Sequence, residues 1–228
     1  MTSIDVIIPA LNEEKSLPYV LRDIPHQLIR KIVVSDNGST DRTSSIASEL
    51  GANVVFQPQK GYGSACLKAI DYLKKDPPDI VVFLDGDYSD HPQELISLVH
   101  PIMYNNIDLV IGSRTLGQHD QGALLPQAVF GNWLACRLID FFYHVSFTDL
   151  GPFRAIRWSS LMELQMCDPD FGWTVEMQVK ASKKKMKVCE VPVSYRKRIG
   201  VSKVTGTLRG SIRAGEKILY IIFREIFL

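Results

Sequence analysis

Five short apolar runs alternate with segments of helical character through the first half of the chain, and this alternation constrains the fold more than any other feature. The runs predict strands at residues 5–10, 31–35, 53–57, 79–85 and 108–112, and the segments between them predict helices at 13–24, 40–50, 63–75 and 92–103. Strands that are apolar throughout are buried on both faces. The first half therefore predicts an α/β fold built on a mainly parallel sheet flanked by helices.

Polar clusters follow four of these strands. "PALNEE" follows the first strand, "DNGSTD" the second, "DGD" the fourth and "GSR" the fifth. The carboxyl ends of parallel strands meet at one edge of a sheet, and ligands bind in the crevice beyond that edge. Each cluster alone would suit a turn or a helix cap, but four at one edge indicate a binding site. The chain has no GxGxxG or GxxxxGK[ST] motif, which disfavours a dinucleotide or P-loop site.

The second half of the chain is less regular. Helices are predicted at 132–145, 172–185 and 207–228, strands at 151–157 and 187–195, and a basic loop at 196–206. We divide the chain into one domain at 1–206 and a C-terminal amphipathic helix at 207–228, which either belongs to that domain or contacts a membrane or a second subunit.

Charge and cysteine content exclude several classes of protein. A formal net charge of +1 over 228 residues gives no sign of a nucleic-acid partner. Four scattered cysteines without a CxxC pair argue against structural zinc and a disulfide framework, and fit a reducing compartment. The first residues do not resemble a signal peptide, and no apolar run reaches the roughly 20 residues of a membrane span. We expect a cytoplasmic protein, with at most peripheral contact to the membrane.

The "DGD" cluster places Asp85 and Asp87 one residue apart at the end of a buried strand. Two like charges there raise each other's pKa unless a cation lies between them. Hard carboxylate oxygens suit Mg²⁺ or Mn²⁺, which usually bridge to substrate phosphates. The alternative is a capping Asp beside a turn Asp. His91 is more simply a loop residue than an additional ligand.

The motifs in their order resemble glycosyltransferase family 2. "VIIPALNEE", "VVSDNGSTDRT", "GYGSACLKAI", "FLDGDYSDHP" and "LVIGSR" are similar to the GT-A fold domain of that family. "TDLGPFRAIR", "GWTVEMQVKA" and "EVPVSYRKRIGVSKVTG" are similar to its dolichol- and polyprenyl-phosphate mannose or glucose synthases. The resemblance covers nearly the whole chain. It implies a metal-dependent inverting transfer of a hexose from a nucleotide-sugar of the UDP-glucose or GDP-mannose type to a polyprenyl or dolichyl phosphate.

The same resemblance implies roles for particular residues. The donor would be bound by a set that comprises Pro9, Ala10, Asn12, Glu13, Asp36, Lys60, Gly61, Asp85, Gly86, Glu176, Arg198, Ser202 and Lys203. Asp87 and Ser89 would hold the metal, and Arg114 would face the acceptor phosphate. Arg198, Ser202 and Lys203 lie in a basic loop that suits a phosphate-rich leaving group, although such a loop could also be a solvated surface.

Two positions depart from the family pattern. Asn37 stands where many members have a second Asp, so a contact to the base or ribose would differ. Ala128 and Val129 stand where an Arg that holds the acceptor phosphate is expected. Arg137, one or two turns later, is a candidate to replace that Arg, or it caps a helix.

The nature of the acceptor stays open at this level. A lipid phosphate is already anionic near pH 7 and needs no strong base, whereas a hydroxyl of a glycan, lipid or small metabolite needs a carboxylate to take its proton. Asp149 is the candidate base, and its alternative role is to bind backbone amides. More distant alternatives are a sugar nucleotidyltransferase, for which a Gly-rich loop after the first strand is missing, and an inactive nucleotide-sugar-binding protein.

The last helix carries an apolar stripe and a basic face. Its apolar residues recur at helical spacing, and its basic residues lie on the other side; the two sets are Leu208, Ile212, Leu219, Ile222 and Ile226, and Arg209, Arg213, Lys217 and Arg224. Such a helix could lie in a membrane interface. It could equally pack its stripe on the domain or on a second copy of the chain.

Overall fold

The computed structural model describes residues 2–200 and 208–227, with side chains of the last helix described from 215 to 226. These residues form a single seven-stranded sheet and eight α-helices. The strands are β1 (Ile4–Ala10), β2 (Lys31–Asp36), β3 (Asn53–Phe56), β4 (Ile80–Phe83), β5 (Leu109–Ser113), β6 (Arg154–Arg157) and β7 (Val188–Pro192). The helices are α1 (Leu17–Asp23), α2 (Thr43–Glu49), α3 (Tyr62–Leu73), α4 (Leu95–Tyr104), α5 (Pro126–Tyr143), α6 (Trp158–Leu164), α7 (Trp173–Lys183) and α8 (Leu208–Phe227).

The strand order across the sheet is β3-β2-β1-β4-β6-β5-β7. β1 runs parallel to both of its neighbours, so that Val6 lies opposite Ile32 on one side and Val82 on the other. β6 runs antiparallel to β4 and β5, while β7 is again parallel to β5. The predicted α/β fold with a mainly parallel sheet is confirmed.

Helices cover both faces of the sheet, which explains why the central positions of the strands are largely apolar. Ile7 and Val33 pack with α3, α5, α6, α7 and α8 on one face. Val6 and Val34 pack with α1, α2 and α4 on the other. All four side chains are fully buried. A half-exposed sheet would instead alternate apolar and polar residues.

Several helices differ from their predicted bounds, and one helix is missing from the prediction. α5 begins at Pro126, earlier than the predicted 132, because a proline suits the first turn of a helix. α2 begins at Thr43, not at 40, because the Thr40 amide donates to the side chain of Asn12 at 2.7 Å in the preceding turn. α6 follows β6 directly and is missing from the prediction.

The predicted C-terminal helix is present as α8 and packs on α5 and α7. Ile221 and Ile222 are fully buried in the core, and the Tyr143 hydroxyl donates to the carbonyl of Ile222 at 2.7 Å. The predicted residues Ser202 and Lys203, and the side chains of Leu208, Arg209, Ile212 and Arg213, lie outside the described part of the chain. Among the helices within the described ranges, none is long and apolar enough to cross a membrane.

Candidate active site

A cavity of about 500 Å³ opens at the carboxyl ends of β1 and β4, where the sequence places its polar clusters. Its described lining consists of Pro9, Ala10, Leu11, Glu13, Asn37, Lys60, Gly61, Tyr62, Ala65, Asp85, Gly86, Asp87, Asp170, Phe171 and Arg198. Most of the predicted donor-binding residues are therefore brought together around one space. We call it the donor cavity.

Two of the predicted donor residues lie beside this lining and organise its loops. Asn12 adopts a left-handed backbone conformation with φ of 53°, and its side-chain oxygen accepts the Thr40 amide. Asp36 accepts the Ser39 amide at 2.8 Å and the hydroxyl of Ser44. Both side chains hold the loop after β2 in place. Because they lie beside the lining, any contact they make to a nucleotide would come from the rim of the cavity.

Asn37 lines the cavity and holds its far wall. Its amide group donates to the carbonyl oxygens of Gln57 and Gln59 at 3.1 and 2.7 Å. Its side-chain oxygen accepts the Gly61 amide at 2.8 Å. An aspartate could accept the last bond but could not donate the first two. The side chain of Asn37 therefore has a structural role that an aspartate at this position could not fulfil.

The loop at 167–172 forms the opposite wall and packs closely on the start of α3. Ser64 donates its amide to the Pro169 carbonyl at 2.8 Å. A β-carbon placed on Gly63 would lie 1.9 Å from the carbonyl oxygen of Asp168, so only glycine fits there. This contact brings Asp170 and Phe171 into the cavity, where the sequence gives no signal for them.

The "DGD" turn places its carboxylates on the cavity wall. Tyr62 donates its hydroxyl to Asp85 at 3.0 Å. One oxygen of Asp87 accepts the amide and hydroxyl of Ser89, at 2.9 and 2.5 Å, and the other pairs with the guanidinium of Arg198. Ser89 thus orients Asp87, and Arg198 occupies its other oxygen.

The basic loop runs directly across this turn. The amide of Ile199 donates to the Asp87 carbonyl at 3.0 Å, and that of Arg196 to the Ser89 carbonyl at 2.9 Å. The Arg196 guanidinium lies 3.8 Å from the centre of the Tyr88 ring. Backbone hydrogen bonds therefore fix the start of the loop, which delivers Arg198 to the carboxylates.

Excess negative charge surrounds the "DGD" turn. Burial and the neighbouring Asp87 carboxylate raise the pKa of Asp85 to about 7. Asp90 is buried, and neither of its carboxylate oxygens has a hydrogen-bond partner among the described residues. Burial, with the charges of Asp85 and Asp87, raises the pKa of Asp90 well above its ordinary value.

This chemistry fits a hard divalent cation. Within the described ranges, no three or more His, Cys, Asp or Glu side chains form a complete metal site. A cation held by one or two carboxylates and completed by substrate phosphates needs no such cluster. Asp87 and Asp85 fit that arrangement, whereas the Ser89 hydroxyl is already engaged in orienting Asp87.

A second cavity of about 390 Å³ lies beside the first, and Arg198 lines both. Its cationic residues are Arg114, Lys197 and Arg198, and its apolar residues include Leu124, Leu125, Ala128, Leu150 and Ile218. Tyr195 and the polar side chains of Gln127 and Asn132 complete much of the wall. We call it the cationic cavity. Sequence reasoning found Arg114 and Arg198 but missed Lys197 and Tyr195.

Arg114 and Asp149 form a buried bidentate pair at this cavity. The backbone amide and Nε of Arg114 donate to Oδ2 of Asp149 at 2.9 and 2.7 Å, and Nη2 donates to Oδ1 at 2.7 Å. The side chain of Asp149 is 2% exposed, against 18% for Arg114. Both carboxylate oxygens are thus committed to Arg114, which suits a positioning role better than the predicted role of general base.

Arg137 is the candidate to replace the arginine that the family pattern leads us to expect at the acceptor site. Ala128 lines the cationic cavity, but Arg137 lies further along α5 and is exposed. Arg137 is not among the residues that line either cavity. Lys197 and Arg198 from the basic loop instead bring positive charge to the space near Ala128.

Glu176 is not brought to the donor cavity. Its fully buried carboxylate accepts the Asp168 amide at 2.8 Å, pairs with Lys180 at 2.8 Å and contacts Arg224 of α8 at 3.4 Å. Because these partners surround the carboxylate, Glu176 holds the loop at 167–172 and does not reach a sugar in this arrangement. Glu176 is thus not among the residues that line the donor cavity, and its predicted contact to the donor stays a prediction.

Comparisons with known proteins agree with this geometry. The family model described as Glycosyl transferase family 2 matches residues 5–163. An uncharacterized glycosyltransferase of Mycobacterium tuberculosis is 37% identical over 93% of this chain and 94% of its own length. A dolichyl-phosphate hexose transferase of Haloferax volcanii is 30% identical over 96% of this chain and 94% of its own length.

Solved structures share the same architecture. Glucosyl-3-phosphoglycerate synthase from Mycobacterium tuberculosis, in complex with Mn²⁺, uridine diphosphate and phosphoglyceric acid, superimposes with a TM-score of 0.78. The alignment covers 99% of this chain and 78% of that protein at 22% identity. At this identity the likeness shows the fold.

Proposed function

Because the chain belongs to glycosyl transferase family 2 and is a glycosyltransferase, we propose that it moves a hexose from a nucleoside diphosphate sugar to a polyprenyl or dolichyl phosphate by a metal-dependent inverting reaction. One observation carries the proposal: an acidic cavity and a cationic, largely apolar cavity meet at Arg198. A diphosphate donor and a phosphorylated apolar acceptor would then approach each other across a single side chain.

The donor side follows from the carboxylates and the loop walls. Asp87, with Asp85, would hold a Mg²⁺ or Mn²⁺ that neutralises charge on the departing diphosphate. Lys60 and Arg198 line the same cavity and add positive charge for phosphate oxygens. Support for a metal also comes from the M. tuberculosis synthase of the same fold, which was crystallised in complex with Mn²⁺ and uridine diphosphate.

Under this proposal, Arg198 changes its partner when the donor binds. Without donor it pairs with Asp87, and with donor the diphosphate competes for the guanidinium. Charge that develops on the leaving diphosphate strengthens the second pairing in the transition state. Arg198 therefore stabilises the leaving group and, as a wall of both cavities, keeps the acceptor next to the reacting carbon.

The acceptor side follows from the cationic cavity. Arg114, held rigidly by Asp149, and Lys197 provide two further charges for a phosphate. Leu124, Leu125 and Ile218 provide apolar surface for the first part of a lipid chain. A phosphate monoester is anionic at neutral pH, with a second pKa near 6. It can attack without a general base, which agrees with the commitment of Asp149 to Arg114.

Relatives support the acceptor class. Two curated relatives are named for a phosphorylated polyprenoid: the dolichyl-phosphate hexose transferase of H. volcanii and the polyprenol monophosphomannose synthase of Mycolicibacterium smegmatis. The second is 29% identical over 89% of this chain and 81% of its own length. The fold neighbour named for phosphoglycerate instead illustrates a small phosphorylated acceptor.

A direct assay tests donor and acceptor together. Purified protein with Mn²⁺ is given UDP- or GDP-sugars and one of three acceptors: a polyprenyl phosphate, the matching polyprenol, or 3-phosphoglycerate. We expect nucleotide release that depends on the polyprenyl phosphate, is lost in Asp87→Ala and is retained in the matched surface variant Asp71→Ala. Turnover with the polyprenol or with 3-phosphoglycerate, but not with the polyprenyl phosphate, would contradict the proposed acceptor.

A further inference from the structure

The ion pair between Arg198 and Asp87 engages the carboxylate that fits a metal ligand. One oxygen of Asp87 accepts the amide and the hydroxyl of Ser89, and the other pairs with the guanidinium of Arg198. The side chain of Asp87 is 4% exposed, against 31% for that of Arg198. Both oxygens of this nearly buried carboxylate therefore already have partners within the chain.

The guanidinium of Arg198 keeps donors for a second partner while it is paired with Asp87. Its Nε is buried and has no hydrogen-bond acceptor among the described residues. A buried N–H group without an acceptor is unfavourable. A phosphate oxygen would accept from it in a charge-assisted hydrogen bond. The pairing with Asp87 is therefore one that an incoming diphosphate can replace with a better satisfied arrangement.

Backbone contacts hold Arg198 at this place whatever its side chain binds. The amide of Ile199 donates to the carbonyl of Asp87 at 3.0 Å, and the amide of Arg196 donates to the carbonyl of Ser89 at 2.9 Å. Neither bond involves the guanidinium of Arg198. A change of partner therefore requires the side chain to move, while the start of the basic loop stays in place.

The charge that Arg198 offsets is large. Asp85 belongs to the same turn as Asp87, and Asp90 is buried with both carboxylate oxygens unpartnered among the described residues. Within that part of the chain, no other lysine or arginine forms an ion pair with Asp85, Asp87 or Asp90. Without the guanidinium of Arg198, the turn would present uncompensated negative charge to any cation in the donor cavity.

We propose that Arg198 keeps a free divalent cation off Asp87, so that the site takes up the cation and a nucleoside diphosphate as one complex. This inference rests on the proposed function, in which Asp87 and Asp85 hold the metal of the donor. While Arg198 stays paired with Asp87, its charge repels a second cation at that carboxylate. A diphosphate accepts the guanidinium and so frees the carboxylate oxygen.

The contribution of Arg198 can be separated from the contribution of the phosphates. Metal and nucleotide must raise each other's affinity by the same factor. A cation that bridges to substrate phosphates produces such coupling in any site of this kind. The pair of Arg198 with Asp87 adds something different, namely weak binding of the cation when no nucleotide is present. The affinity for the free cation is therefore the informative quantity.

Mn²⁺ binding to the full-length protein, followed by electron paramagnetic resonance, tests the inference without turnover. In the absence of nucleotide, Arg198→Met should bind Mn²⁺ at least about tenfold more tightly than the parent protein, which lies within the usual range of coupling between sites. The same variant should bind uridine or guanosine diphosphate with Mn²⁺ more weakly, because a charged contact to the diphosphate is lost. Removal of one arginine thus shifts two affinities in opposite directions.

Three control variants separate the ion pair from the general charge of the cavity. Lys60 lines the same cavity but is exposed, and no described contact joins it to Asp87. Lys60→Met should weaken nucleotide binding and change the affinity for free Mn²⁺ by less than about twofold, because exposed charges are screened. Arg198→Lys keeps the charge without the planar fork and should bind free Mn²⁺ with intermediate affinity. Arg198→Met with Asp87→Asn should lose the gain, because the ligand itself is changed.

The outcomes distinguish this inference from the proposed function. Equal affinities of the parent protein and Arg198→Met for free Mn²⁺ would overturn the inference, and so would a gain that persists in the double variant with Asp87→Asn. Neither result bears on turnover with a polyprenyl phosphate. Absence of that turnover in the parent protein would instead reject the proposed acceptor, while opposite shifts of the two affinities would still support the role of Arg198. Melting temperatures equal to that of the parent protein show that the variants are folded.

Discussion

Replacing Asp149 with Asn should lower the stability of the fold and leave the rate of the chemical step largely unchanged. Asp149 receives three donors from Arg114, at 2.9, 2.7 and 2.7 Å, and its side chain is 2% exposed. Asn keeps one acceptor oxygen, but its NH₂ group would face an N–H of Arg114. The guanidinium, whose pKa the Asp149 charge raises, would then stay charged without a counter-ion.

The expected magnitude follows from the burial of the pair. Removal of one partner of a buried ion pair costs about 3–5 kcal/mol, and the remaining amide hydrogen bond places Asp149→Asn near the lower limit. For a chain of this size, about 3 kcal/mol lowers the melting temperature by roughly 6–12 °C. Asp71→Asn is the matched control: its pairing with Lys74 is 3.5 Å long with both side chains largely exposed, so it should change stability by less than about 0.5 kcal/mol.

The assay combines denaturation with steady-state kinetics toward a soluble polyprenyl phosphate. Because Asp149 positions Arg114, we expect the variant to raise KM for the acceptor and to keep the shape of the pH profile of kcat. A general base would behave differently, since its loss lowers kcat by roughly 10²–10⁴ and removes a limb of that profile. Unchanged stability together with such a drop in kcat would refute the reasoning and favour a hydroxyl acceptor.

Three further predictions test the donor cavity. The pKa of Asp85 is raised to about 7, so the folded protein binds more protons than the unfolded chain between pH 4 and 7. The free energy of unfolding should therefore fall as the pH rises through that window. In thermal melts without metal, Asp85→Asn should flatten this pH dependence. Lys217→Met removes the ion-pair partner of Asp168 and should raise the donor KM several-fold with little change in kcat. Lys217→Arg should keep the KM of the parent protein. An unchanged KM in Lys217→Met would show that α8 does not support the loop at 167–172. Asn37→Asp should weaken the binding of uridine diphosphate, measured by calorimetry. It should also destabilise the fold by about 2 kcal/mol, because two donated hydrogen bonds are lost. An affinity and a stability equal to those of the parent protein would contradict the structural role given to Asn37.

The sequence alone determined the sheet and the location of the site. Strands buried on both faces are largely apolar along their length, and this pattern is local, so β1 to β5 could be recognised directly. Polar residues at their carboxyl ends follow from the same pattern, and Pro9, Asp85 and Asp87 were therefore placed correctly on one edge. The direction of β6 carries no such signal, because the apolar pattern of a buried strand is the same whether its neighbours run parallel or antiparallel.

Only the tertiary structure decided which charges are free to act. Asp149, Glu176 and Asp85 are all acidic residues within recognisable motifs, and sequence spacing treats them alike. Most of their partners come from distant parts of the chain: Arg114 occupies Asp149, and Arg224 joins Lys180 around Glu176. Asp85 accepts, among the described residues, the hydroxyl of Tyr62. A carboxylate acts on a substrate only when its oxygens are available or when the substrate displaces their partner, as proposed for Asp87 and Arg198. That availability depends on contacts between residues far apart in sequence.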